Sequence, residues 1–526
     1  MLCLTLHLSY LFLLLLALVD GAPPYTPTEY ILLNCGSSSN ATSPDGRNWE
    51  SDSGSKFSPS YIQQTSSSTA SVQDPSVTQV PYLKARISKS QFTYTFPVSA
   101  GPKFVRLYFY PATYSGHDKS NFFFSVVANS HTLLSNFSAS LTVSAIDPPV
   151  ASLVKEFCVN VYDNQRLTIT FSPSPSSYAF INGIEIVSMP NNLYLGRRDD
   201  PIRLVNFDTT FTLDNNTALE TVFRLNVGGQ DVSINRDTGM FRTWRDDSPY
   251  IFGQAYGTPV HRSNVTIRYT PETPAYTAPA IVYSTARTMG QDSHVNLNYN
   301  LTWFFTVDSG FNYLVRLHFC ETQLEVKLAN QRVFRIYINN QTAEEELDVI
   351  ERSGGTEIPM YRDYVVLVQD SDGSRSKQDL WLALHPVMDS AKSKFANALL
   401  NGLEIFKLNQ SDGSLAAPNP DPMAVPTSPQ PYPKQKGKSK SKGSSPVIIA
   451  TGSVLGGVAA LSLLLCFLII RRRRRRLKDH GGHMLDSRSS GTSVMSSDGR
   501  SINSFDQDKE VRSQNVFSEI MNSKGR

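Results

Sequence analysis

Two runs of neighbouring carboxylates, Asp246 with Asp247 and Glu344 with Glu345 and Glu346, come nearest to catalytic chemistry in this 526-residue chain. A glycosidase uses two such groups, one as acid and one as base or nucleophile, at a fixed separation across the sugar. Neighbours on a strand point to opposite faces, so adjacency in sequence argues for a solvated surface instead. No Gly-x-Ser-x-Gly, His-Glu-x-x-His or Gly-x-x-x-x-Gly-Lys-Ser/Thr occurs to bring nucleophilic, metal or phosphate chemistry. No catalytic residue, cofactor, metal site or nucleic-acid partner is therefore assigned. Trp49, Trp244, Trp303 and Trp381, with 23 tyrosines, are candidates for stacking on sugar rings. Most large aromatics in β-proteins fill cores, so no ligand-contacting residue is assigned from them.

Seven Asn-x-Ser/Thr sequons, at Asn40, Asn136, Asn215, Asn264, Asn300, Asn340 and Asn409, are acceptors for N-glycans. All precede residues 447–470, an uncharged run followed at once by Arg471, Arg472, Arg473, Arg474, Arg475 and Arg476. As a helix that run spans ~36 Å at ~1.5 Å per residue, enough to cross a ~30 Å hydrocarbon core. The six guanidinium groups act as a stop-transfer signal and mark that end as cytoplasmic. A shorter apolar run, residues 8–19, reads as the core of a signal peptide covering residues 1–22. These features together give a single-pass type I protein of the plasma membrane with its N-terminal portion extracellular.

Charge divides along the same line. The net charge is +3, yet residues 471–526 carry +6 and residues 434–446 carry +5, which leaves −8 for residues 1–433. An acidic ectodomain favours encounters with basic ligands, through steering that weakens as salt rises. Of the five cysteines, Cys3 leaves with the leader and Cys466 lies in the span. Cys35, Cys158 and Cys320 allow at most one internal disulfide, so packing and not a disulfide framework must hold the ectodomain.

The elements that carry these residues are strands. Phe92 to Phe96 alternates large apolar with polar side chains, and residues 104–110 have the aromatic and β-branched composition of a sandwich strand. An internal repeat is also visible. Residues 105–109, Val-Arg-Leu-Tyr-Phe, return at 315–319 as Val-Arg-Leu-His-Phe; residues 180–186 return at 399–405, each with a central Asn-Gly; residues 32–36 are echoed at 224–228. The order is kept, so the ectodomain is all-β and consists of two tandem domains of related fold. Flanked by apolar residues, the Asn-Gly pairs at 182–183 and 401–402 read as type I′ hairpin turns.

Residues 103–111, 219–229, 283–287, 298–304 and 313–321 resemble the plant malectin-like receptor-like kinases, over roughly residues 28–415. The resemblance implies two malectin-like β-sandwich domains, 28–189 and 219–408, joined by a connector at 190–218. A Pro/Ser/Lys-rich stalk at 409–446, the transmembrane helix at 447–470 and a short disordered tail at 471–526 follow. It further implies sensing of secreted rapid alkalinization factor peptides with a GPI-anchored co-receptor, and contact with cell-wall pectin. The tail holds no Gly-rich loop, His-Arg-Asp or Asp-Phe-Gly, so no kinase activity is expected of this chain. Residues 486–491 and 516–526 resemble the tail that follows the kinase in this family, which places a join between residues 477 and 485. The expected function is that of a kinase-less receptor that competes for ligand or pairs with full-length homologous receptors. The alternatives are a lectin-like wall tether without a signalling role, or an incomplete model of a full receptor Ser/Thr kinase.

Overall fold

Alternation makes Phe92–Phe96 a strand with one buried face, and Phe92, Tyr94 and Phe96 are each at most 1% exposed. The computed structural model describes residues 24–421, apart from 62–64, 164, 197–200, 254–256, 371–372, 374–375 and 388–392. The expected leader, transmembrane helix, Arg471–Arg476 run and tail, with the stalk beyond residue 421, lie outside the described residues. Among the described residues no helix is long and apolar enough to cross a membrane. Among the described residues the regular structure is mostly strand, with short helices such as Ala139–Ser144 and Val349–Ser353.

The repeat seen in the sequence is a repeat of strand pairing. Gly101–Phe109 lies antiparallel between Leu153–Val161 and Gly183–Ser188; Phe311–Phe319 lies in the same way between Met360–Val368 and Gly402–Leu408. Tyr30–Asn34 pairs with Gly183–Ser188 as Leu219–Asn226 pairs with Gly402–Leu408. A five-stranded sheet closes each repeat. Val105, Leu107 and Phe109 meet Tyr94, Val126 and Ile169 in the first core, while Val315, Leu317 and Phe319 meet Trp303, Ile336 and Leu382 in the second.

The two repeats share a sheet. Leu153–Val161 and Leu219–Asn226 pair through Phe157 with Glu220 and Cys158 with Leu219, which joins both halves into one 13-stranded sheet. A third core covers its other face, where Phe104, Leu314 and Phe406 meet Leu193, Tyr194, Leu195 and Leu213 of the segment between the repeats. Central strands are thereby buried on both faces, which is why residues 104–110 read as nearly unbroken apolar sequence. Cys35, Cys158 and Cys320 are all free and buried, and burial pushes each thiol well above its ordinary value.

The expected type I′ hairpins at the Asn-Gly pairs do not form. Neither pair has positive φ, and each links a strand of a small three-stranded sheet to a strand of the shared one. The amides are buried staples. Asn182 Oδ1 accepts from Tyr110 N at 2.7 Å, and its Nδ2 donates to Tyr82 O at 2.8 Å and Lys84 O at 2.7 Å. Asn401 does the same with Cys320 N, Tyr283 O and Thr285 O, at 2.7, 3.0 and 2.7 Å. A Cβ on Gly183 would lie 2.8 Å from the Pro81 ring, and one on Gly402 2.6 Å from Val282 Cγ1. Satisfying buried backbone groups outweighs a local turn preference. The hairpin with two positive-φ residues is found instead at Asn339 and Asn340, closing the Ile338–Gln341 pair.

A second staple also occurs twice. Gly36 N donates to Asp52 Oδ1 and Gly228 N to Asp247 Oδ1, both at 2.9 Å. Asp52 also binds Arg86 and the Tyr94 hydroxyl; Asp247 binds Arg287 and Trp303 Nε1. Both glycines have positive φ, and a Cβ would fall 2.2 Å from Ala85 O or 2.0 Å from Ala286 O. Gly54 also has positive φ but open space around it. Thermal unfolding should therefore show Gly54→Ala costing roughly 1–2 kcal/mol of left-handed strain. Gly36→Ala and Gly228→Ala should each cost about 1–3 kcal/mol more, because the backbone of a buried strand must move.

Candidate functional site

Pairing in the shared sheet aligns charge as well as apolar surface. Register places Glu185, Arg106 and Glu156 side by side in the first repeat, and Arg224, Glu404, Arg316 and Asp363 side by side in the second. The signs alternate strand by strand. Arg106 reaches Glu185 and Glu156, each at 2.6 Å; Arg224 reaches Glu156 at 2.9 Å and Glu404 at 2.7 Å; Arg316 grips both oxygens of Asp363 at 2.8 Å. Glu156 thus holds an arginine from each repeat. The segment over this face adds Tyr194 Oη, which donates to Glu404 at 2.8 Å and accepts from Arg242 Nη1 at 3.0 Å. Arg106 Nη2 donates to Met240 O at 2.9 Å.

Burying these ions costs several kcal/mol each, and only complete pairing offsets it. Burial alone would raise the Glu156 carboxyl, but Arg224 and Arg106 bring it down to about 2. Burial opposes Glu404 as well, yet Arg224 and His318 hold it well below the usual carboxylate range. Burial keeps the His318 imidazole below its ordinary value and therefore neutral at pH 7. In that state Nε2 donates to Glu404 Oε2 at 3.2 Å while Nδ1 accepts from the Tyr283 hydroxyl at 3.0 Å. Every carboxylate here is committed to an arginine, so the row orients and reacts with nothing.

The residues singled out in the sequence are dispersed. Asp247 is buried against Arg287, whereas Asp246 is half-buried and accepts from Ser248 N, so the two form no catalytic pair. Glu344 accepts from Arg362 at 2.9 Å and Glu345 pairs with Arg335 at 2.9 Å. With Glu346, Asp348, Glu351, Arg203 and Arg352 they line an open cleft of about 400 Å³. A second polar cleft, about 330 Å³, is lined by Asn160, Tyr162, Asp163, Asn191, Asn192 and Asn215. Trp49, Trp244 and Trp303 are fully buried core residues, and Trp381 alone of the four is half-buried on an outer sheet face. Six sequon asparagines, Asn40, Asn136, Asn215, Asn264, Asn300 and Asn340, are exposed. Asn409 differs: it is half-buried, its Oδ1 accepting from Ala218 N at 2.7 Å and its Nδ2 donating to Gln410 O at 2.9 Å.

The charged row was the part missing from the sequence reading. Its one signal lies within the repeat itself, where Arg106 and Arg316 interrupt the same apolar strand and Glu185 and Glu404 follow the same Asn-Gly.

A sheet pair built this way, with its glycine and asparagine staples doubled, defines a malectin-like protein: the malectin-like domain family matches residues 33–408, and the chain belongs to it. Among individual relatives, the receptor-like protein kinase FERONIA of Arabidopsis thaliana is 52% identical over 424 residues, 79% of this chain and 46% of FERONIA. ANXUR1 of the same plant is 41% identical, over 78% of this chain and 47% of its own. The chain spans about half the length of the curated relatives it matches. The crystal structure of the plant receptor-like kinase FER superposes with a TM-score of 0.68 at 52% identity, covering 75% of this chain and 100% of that one. FER in its complex with the plant peptide RALF23 and LLG2 gives 0.67 at 51% identity, covering 75% and 99%.

Glu156→Gln should lower stability by about 3 kcal/mol, because two buried guanidinium groups each lose one of their two carboxylates. Acid should act in the same direction. Glu156 titrates at 4.5 when unfolded and about 2 when folded, so its contribution is full above pH 4.5 and is lost as pH falls towards 2. His318, depressed from 6.5, likewise contributes above pH 6.5 and loses that contribution on acidification. Urea unfolding at a series of pH values should show stability level between about pH 7 and 8 and falling below 6.5, with the step below 4.5 reduced in Glu156→Gln.

Proposed function

We propose that the chain is the sensing part of a FERONIA-type receptor, whose ectodomain binds a secreted basic peptide of the rapid alkalinization factor type with a GPI-anchored co-receptor. The supporting observation is the 51% identity, over 75% of this chain, with the FER that a solved structure holds together with RALF23 and LLG2. The −8 charge of residues 1–433 points the same way, since it attracts a cation at long range. In this reading residues 28–189 and 219–408 are the two malectin-like domains, residues 409–446 the stalk and residues 447–470 the single membrane span. Arg471–Arg476 then lie in the cytoplasm. The 526 residues contain no kinase motif, so the chain transfers no phosphate itself and acts by competing for peptide and co-receptor or by pairing with full-length receptors.

Export also dictates where glycans go. The six exposed sequons carry them, and Asn409 does not, because both ends of its amide are engaged in holding Ala218 and Gln410. Glycopeptide mapping of the secreted protein should find Asn409 bare, and Asn409→Gln should destabilise the fold where Asn264→Gln does not.

Binding of the basic peptide plus co-receptor, measured against oligogalacturonides as the alternative ligand, tests the reading. Peptide affinity should fall as salt rises from ~0.1 to ~1 M and the Debye length shrinks from ~10 to ~3 Å. Saccharide binding with no peptide response would replace the receptor by a lectin-like tether.

A further inference from the structure

The outer face of the second repeat's five-stranded sheet carries aromatic side chains in an ordered array. Phe304 and Trp381 are directly paired across strands, their rings edge to face at 4.5 Å, and Phe252 meets Phe304 at 5.2 Å. Phe252 is 51% exposed, and Phe304, Trp381 and Tyr337 are half-buried. Between Phe252 and Tyr337 the register places only Thr302 and Ala383, each 8% exposed. The result is a saddle with a small-residue floor, walled by Phe252 and Tyr337 and ending at Phe304 and Trp381.

Asn300 stands at the open end of that saddle. It is exposed, two residues before Thr302 on the same strand face, and its Oδ1 accepts from His385 Nδ1 at 2.9 Å. His385 is in turn the cross-strand neighbour of Arg335, which Glu345 neutralises. Two residues advance a strand by ~7 Å, so the floor begins ~7 Å from Asn300 and the Phe304–Trp381 pair lies ~14 Å away. Asn300 begins the sequon Asn-Leu-Thr, whose third residue is the floor residue Thr302. Asn340, the other sequon on this sheet, sits at the tip of a hairpin, one residue beyond Asn339, whose N–H and Oδ1 bond the Trp381 backbone at the far end of the saddle.

We propose that the N-glycan attached at Asn300 lies back along the saddle and covers the Phe304–Trp381 pair. Its sugars offer the chemistry the face asks for, a C–H side that packs on rings and a hydroxyl side that meets water. The glycan is then a covalent cover for apolar surface that would otherwise face the apoplast. This rests on the proposed export of the ectodomain, and it assigns one sequon a structural task that the others do not share.

Tryptophan fluorescence reads the cover directly, because the other three tryptophans are fully buried and all four lie within residues 24–421. The full-length glycoprotein in detergent, titrated with acrylamide, should show little quenching. Asn300→Gln should raise the quenchable share towards one tryptophan in four, and Asn340→Gln should leave it unchanged. Thr302→Val provides a second variant, removing the sequon while keeping Asn300 on His385, and should match Asn300→Gln. Unchanged quenching in both variants, an equal rise in Asn340→Gln, or a bare Asn300 beside occupied Asn136 and Asn264 would overturn the proposal. Absence of glycan at every sequon would instead overturn the export reading.

Discussion

Glu156 is the carboxylate on which the arrangement of the two repeats depends. It is contributed by the first repeat, it is held by Arg106 of that repeat and Arg224 of the other, and it lies beside the two residue pairs that fuse the sheets. Apolar contact in the third core brings the repeats together but is indifferent to small slides and rotations. Ion pairs of alternating sign are not. A shift of one strand would set like charges side by side in a buried layer, at a cost that no apolar contact there could offset. The charges therefore select one orientation, and the hydrophobic core supplies most of the free energy.

That selection bears on sensing. Interfaces between domains of one chain usually permit relative motion. Here a continuous sheet, a core over its second face and a row of paired charges remove that freedom, so in the proposed receptor role a ligand would meet a surface whose two halves are already in place. Binding to a preorganised surface loses less entropy than binding to hinged domains. Tyr194 and Arg242 extend the same network into the covering segment, which makes the segment between the repeats part of the frame.

Much of the fold was legible because it is written twice. The Val-Arg-Leu and Asn-Gly strings marked equivalent strands, and the alternation at Phe92–Phe96 gave both strand and buried face. The Asn-Gly turn was misread because local propensity cannot reveal that an amide is buried among three backbone groups distant in sequence. The charge row was hidden for a related reason. Arg106, Glu156 and Arg224 are spread over more than a hundred positions, and only the strand order brings them together. Tryptophans, by contrast, sorted themselves only in three dimensions, three into cores and one onto a surface.

The central claim is that the two repeats form one cooperative body, and differential scanning calorimetry of residues 24–421 tests it most directly. The account predicts a single transition whose calorimetric and van't Hoff enthalpies agree. Two separable transitions, or one repeat that stays folded while the other melts, would contradict it.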